Sequence, residues 1–68
     1  MNSVYKIIEI IGVSDKSWED AAKSAIQTAS KSVKELRVAE VKELDITIGD
    51  DGKMAFRAKL KLSFKYTD

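Results

Sequence analysis

The side chains able to do chemistry in this sequence are few. It holds no Cys and no His in 68 residues. Disulfides and thiolate metal sites are therefore excluded, and the commonest general base and zinc ligand are missing. Carboxylates, lysines, arginines and one Trp remain. The segment "DITIGDDGK" sets Asp45, Asp50 and Asp51 around a glycine turn. A hard cation such as calcium needs several oxygen ligands, which makes these three candidate metal ligands, with Glu9, Glu40 and Glu43 no worse in principle. Their spacing is not that of an EF-hand loop. The competing reading is an Asp-Gly hairpin turn with solvated carboxylates. A metal at a junction between subunits would combine carboxylates from several chains.

Two further groupings have binding chemistry. Arg57, Lys59, Lys61 and Lys65 recur at every second or fourth position, so one strand face is basic. Such a row can bind phosphate or nucleic acid. Nucleic-acid binding would call for interleaved aromatics, and only Phe56 lies beside the row, on the opposite side. A solvated face, or one paired with carboxylates of a neighbouring subunit, fits better. Trp18 can serve as a stacking platform, but at the first turn of an amphipathic helix it is expected to pack in the core. No nucleophile–base pair is visible, so no enzyme is expected.

These residues need elements to position them. Three glycines, Gly12, Gly49 and Gly52, divide the chain into four. "VYKIIEII", Val4 to Ile11, reads as a strand apolar on both faces. Gly12 and Ser14 read as a loop. A helix is expected over Ser17 to Leu36, capped by Ser17 with Asp20 three residues on, and closing with Lys31 and Lys34. Its stripe of Trp18, Ala21, Ala22, Ala25, Ile26, Ala29 and Val33 is mostly Ala. "KELRVAEVKELDITIG" is a second strand whose apolar phase changes near Lys42 and Glu43, the signature of a bulge. After a Gly49–Lys53 hairpin turn, a third strand alternates regularly from Met54 to Tyr66, with Ala55 the exception.

The result is an α+β fold, β-α-β-β, with a three-stranded antiparallel sheet partly wrapped around one helix, in a single domain over residues 1–68. A domain this small leaves much apolar surface uncovered, and without disulfides its likeliest support is self-association. The charge is nearly balanced at +1, which gives no nucleic-acid arm. No apolar run reaches membrane-spanning length. Lys6 and Glu9 interrupt the first apolar run, so it makes a poor signal peptide and a cytoplasmic protein is expected.

Taken together, "VYKIIEIIGVS", "SWEDAAKSAI", "RVAEV", "TIG" and "FRAKLKLSFKY" resemble the dodecins over nearly the whole chain. The resemblance implies a hollow homododecamer with the sheets making its dimer and trimer contacts. In flavin-binding dodecins a Trp on the second strand stacks on the flavin, within a W-x-E-V motif, and a Gln on the third strand bonds its pyrimidine edge. Here "VAEV" puts Val38 at the Trp position, and Arg57 stands at the Gln position. Positions that some relatives use near a flavin phosphate fall on Asp45 and Lys65. Val38 has no aromatic face, and Arg57 can donate to a flavin carbonyl but not accept from the ring N–H. The Arg37-Val38 pair is similar to a branch discussed as calcium-binding. The expected function is thus a non-enzymatic dodecin-like shell that sequesters a small ligand or an ion such as calcium, with weak or absent binding of FMN or riboflavin. The alternatives are a true flavin-storage dodecin and an assembly module without a small ligand. Expected partners are copies of the chain itself, with neither nucleic acid nor membrane.

Overall fold

A computed structural model describes residues 2–66. The elements run β1 (Tyr5–Ser14), α1 (Trp18–Ala29), β2 (Leu36–Ile48) and β3 (Met54–Lys65). The sheet order is β1-β3-β2, with both neighbours antiparallel to β3. The most regularly alternating strand therefore lies in the centre, and β1 and β2 form the edges.

Core packing follows from this alternation. Ala58, Leu60 and Leu62 of β3 point at the helix and are buried with Ala21 and Ala25. Ile8 and Ile10 of β1 and Ile26 of α1 flank them. Small residues bring the two layers close together. β1 does not stop at Gly12, as the sequence suggested, but runs on to Ser14. Gly12 faces α1, where an added methyl would run into the Ala21 carbonyl and lie 2.9 Å from the Ala25 Cβ. The glycine permits a close approach rather than breaking the strand.

The helix begins as its cap residues dictate. Ser17 Oγ accepts from the Asp20 N–H at 2.9 Å. Asp20 does not complete a capping box. Its carboxylate accepts from the buried Ser14 hydroxyl at 2.7 Å, and Ser14 Oγ in turn accepts from the Lys16 and Ser17 amides. The helix ends at Ala29, one and a half turns or more before the expected Leu36. Ser30 caps it, with its hydroxyl donating to the Gln27 carbonyl at 2.8 Å. Such local bonds compete with helical propagation in a serine-rich segment. Glu35 then takes a left-handed φ of 66° and turns the chain into β2. Lys31 and Lys34 consequently lie beyond the helix and not in its last turn.

β2 shifts register between Val41 and Glu43, which leaves Lys42 as the extra residue at the phase change. A second shift, between Leu36 and Val38, leaves Arg37 unpaired in the ladder. The hairpin closes through Gly49 N–H to the Lys53 carbonyl and Gly52 N–H to the Gly49 carbonyl, both 2.8 Å. Gly52 has φ 82°, a value glycine takes without strain.

The layers do not match in length. A twelve-residue helix spans about 18 Å, whereas the protein is 54 Å long, 20 Å wide and 15 Å thick. Its radius of gyration is 14.1 Å, against about 11 Å for a compact domain of this length. Its accessible surface is 5291 Å², where a compact monomer would expose about 4,300 Å². The excess is apolar in large part. Tyr5, Ile7, Ile11 and Val13 line the face of β1 turned away from the helix, and Leu44, Ile46 and Ile48 project past the end of α1.

Candidate functional site

The face of the sheet opposite the helix carries the candidate residues. Cross-strand register groups them in rows. Val13, Arg57 and Asp45 form one row, and Ile11, Lys59 and Glu43 the next. Glu9, Lys61 and Glu40 follow, then Ile7, Ser63 and Val38. β3 thus supplies a basic line and β2 an acidic line beside it. Arg57 and Lys59 of the basic row are paired with carboxylates of their own chain, a pairing the sequence reading had assigned to solvent or to a neighbour.

Arg57 makes the strongest of these pairs. Its Nε donates to Asp45 Oδ1 and its second guanidinium nitrogen to Oδ2, each at 2.7 Å. The fork is fully bidentate, the geometry that suits Arg to carboxylate best. Hydrogen bonding from Arg57 holds the Asp45 carboxyl below its ordinary range, and bonding to Asp45 raises the already high Arg57 value. Both side chains stay partly open to solvent. In the next row Lys59 Nζ lies 3.7 Å from Glu43 Oε1. Ile11, Glu43, Asp45, Arg57 and Lys59 together line a pocket of about 170 Å³.

Trp18 anchors this corner from the other side of the sheet. It is 37% exposed rather than core. Its ring meets Phe56 edge-on, with centroids 5.4 Å apart and an interplanar angle of 81°. Its indole N–H donates to the Asp45 carbonyl at 3.0 Å. The first turn of the helix therefore fixes the backbone of the residue that pairs with Arg57.

Of the four expected ligand-pocket residues, only Asp45 and Arg57 meet within one chain. Val38 pairs with Ser63, six residues along β3 from Arg57, or about 20 Å away. It is 58% exposed and borders a groove of about 180 Å³ that includes Ile26, Leu36 and Leu62. Lys65 lies opposite Tyr5 at the far end, about 27 Å from Arg57. There it borders a larger hollow, about 380 Å³, with Lys6, Lys34, Phe64 and Tyr66. Lys6 Nζ sits 5.7 Å from the Tyr66 ring centroid.

The metal candidates are likewise spread out. Asp50 and Asp51 occupy the exposed hairpin tip, with Asp51 Oδ1 accepting from the Lys53 amide at 3.0 Å. Asp45 is engaged by Arg57. Among the described residues, no three acidic side chains gather closely enough to hold a metal ion. The sequence reading had Lys59 in the basic row and Glu43 among the carboxylates, but it missed Ile11 and the meeting of all three beside Asp45 and Arg57. The signal was present: counting outward from the turn pairs Ile48 with Met54, and hence Asp45 with Arg57 and Glu43 with Lys59.

Comparison with known proteins agrees with this architecture. Calcium dodecin of Mycobacterium tuberculosis is 52% identical over 63 residues, covering 93% of this chain and 89% of that protein. Its crystal structure, that of a calcium-chelating antigen, superposes with a TM-score of 0.89 over 96% of this chain and 93% of its own. The dodecin of Thermus thermophilus is 35% identical over 65 residues, covering 96% and 94% of the two chains. An arginine-to-alanine variant of it has a TM-score of 0.89, covering 98% of this chain and all of its own at 33% identity. The Dodecin family profile matches residues 4–67, the full span from the first strand to the last. With the profile spanning all four elements and two dodecins 52% and 35% identical over nearly the whole chain, the chain belongs to the dodecin family.

Proposed function

We propose that this chain is one 68-residue dodecin domain that assembles as a hollow homododecamer and sequesters calcium without catalysis in the cytoplasm, binding FMN or riboflavin weakly or not at all. The observation that carries this reading is the Asp45–Arg57 fork. A guanidinium that gives its Nε edge to a carboxylate is held in place by it, and it has no acceptor for the ring N–H of a flavin. Val38 adds to this, because it offers no aromatic face at the position where the family's flavin-binding members stack their ligand. Similarity to calcium dodecin supports the choice of ion.

Calcium takes six to eight oxygen ligands in a flexible geometry. One chain offers Asp50 and Asp51 at the hairpin tip, with Asp45 available only if the Arg57 pair opens. A complete site therefore draws carboxylates and carbonyls from more than one copy. Val38 and Lys65 lie far from the Asp45–Arg57 pair on one chain, so a pocket that uses all four is completed across a contact between copies.

Flavin titration tests this reading. Purified protein is expected to be colourless and to leave riboflavin fluorescence unquenched at about 100 μM, well below the millimolar range of a binding free energy near −4 kcal/mol. Val38→Trp restores a stacking face worth about 1–3 kcal/mol per ring, so a symmetric pair gains roughly 10²-fold to 10⁴-fold in affinity. A yellow, quenching wild type supports flavin storage instead. No gain in Val38→Trp means that Val38 does not face the ligand.

A further inference from the structure

The pocket between Ile11, Glu43, Asp45, Arg57 and Lys59 has the size for a small oxyanion, at about 170 Å³. Arg and Lys are the side chains that recognise phosphate, and Arg does so through the same fork it presents to a carboxylate. Here the edge of the guanidinium formed by Nε and one terminal nitrogen is filled from within. Asp45 accepts from two guanidinium nitrogens, both at 2.7 Å. Glu43 stands 3.7 Å from Lys59. Two positive and two negative side chains line the pocket, so its formal charges cancel.

Asp45 is also held in place from behind. The Trp18 indole N–H bonds its carbonyl at 3.0 Å, and Trp18 is itself braced against Phe56. The carboxylate is thus delivered to Arg57 from a fixed backbone, and an incoming anion would have to displace it with no net gain in charge pairing. We propose that Asp45 sets the ligand charge at this pocket: it closes Arg57 to phosphate and carboxylate groups and leaves the open face of the sheet to cations and neutral molecules. This rests on the reading above that the ligand is calcium, and it explains how the face selects against anions.

The test is titration of the assembled protein with inorganic phosphate in calcium-free buffer. Binding is followed by the emission of Trp18, the only Trp in the chain, and by melting. Wild type is expected to show no saturable change. Asp45→Asn keeps the side-chain shape and removes the charge, and Asp45→Ala removes the acceptor as well. Each is expected to bind phosphate at least about tenfold more tightly than wild type, because a free Arg fork makes charge-assisted bonds to phosphate. Asp45→Asn combined with Arg57→Gln is expected to lose that gain. Saturable phosphate binding by wild type overturns the proposal, as does the absence of a gain in both single variants. A wild type that binds riboflavin but not phosphate, with the gain present in Asp45→Asn, overturns the flavin-free function and leaves the role of Asp45 standing.

Discussion

Asp45 joins three parts of the molecule through one residue: its carboxylate takes the Arg57 fork, its carbonyl takes the Trp18 indole, and its strand leads into the turn that carries Asp50 and Asp51. The ion pair makes a specific contribution to acid stability. Bonding from Arg57 lowers the folded-state pKa of Asp45. A carboxyl with a lowered folded value stabilises the protein above its unfolded value, about 3.9, and that contribution fades as pH falls toward the folded value. Wild type is therefore expected to melt above Asp45→Asn at neutral pH, with the two converging below about pH 4. Melting curves from pH 7 down to pH 2 check this, and a constant offset across that range would remove the pair as its cause. In the sequence Asp45 stood out only as a carboxylate near a glycine turn and as a position that some relatives use near a flavin phosphate. Its partner was legible from hairpin register, since Asp45 and Arg57 are equidistant from the turn. Its bond to Trp18 was not, because no local pattern reveals a contact between residues 27 positions apart.

At the scale of elements, strand alternation and turn chemistry carried the most information. The third strand, the hairpin and the bulge at Lys42 all follow from side-chain period and from Gly placement. Helix length was harder to read, because the apolar positions continue to Val33 and Leu36 while serine hydroxyls and the turn at Glu35 end the helix at Ala29. The bulge at Arg37 left no mark in the apolar pattern. Gly12 misled for an instructive reason. A glycine inside a strand looks like a stop, yet here it is the point where α1 lies against the sheet. Gly12→Ala is accordingly expected to destabilise the fold by about 1–3 kcal/mol or more, as overpacking against a backbone does. Gly49, which meets only the flexible Asp51 side chain closely, is expected to tolerate Ala far better. Denaturant midpoints of the two variants separate these cases, and equal losses would contradict the close-packing account.

The whole molecule is an elongated ribbon with more surface than a folded chain of its size sustains alone. Two edge strands remain open, one sheet face carries Tyr5, Ile7, Ile11 and Val13 in the open, and Ile48 is 72% exposed. Exposed edges and apolar patches of this kind are covered in nature by pairing with another chain. The family supplies a symmetric solution in which identical patches meet. Light scattering of purified protein is expected to give the mass of twelve chains, and a stable monomer would contradict the assembly. This assembly is expected to hold calcium. Its most direct test is thermal melting of the assembled protein in calcium and in chelator. Calcium at about 100 times its dissociation constant is expected to add about 2.7 kcal/mol per site and raise the melting temperature accordingly. Identical melting curves in millimolar calcium and in chelator would contradict it.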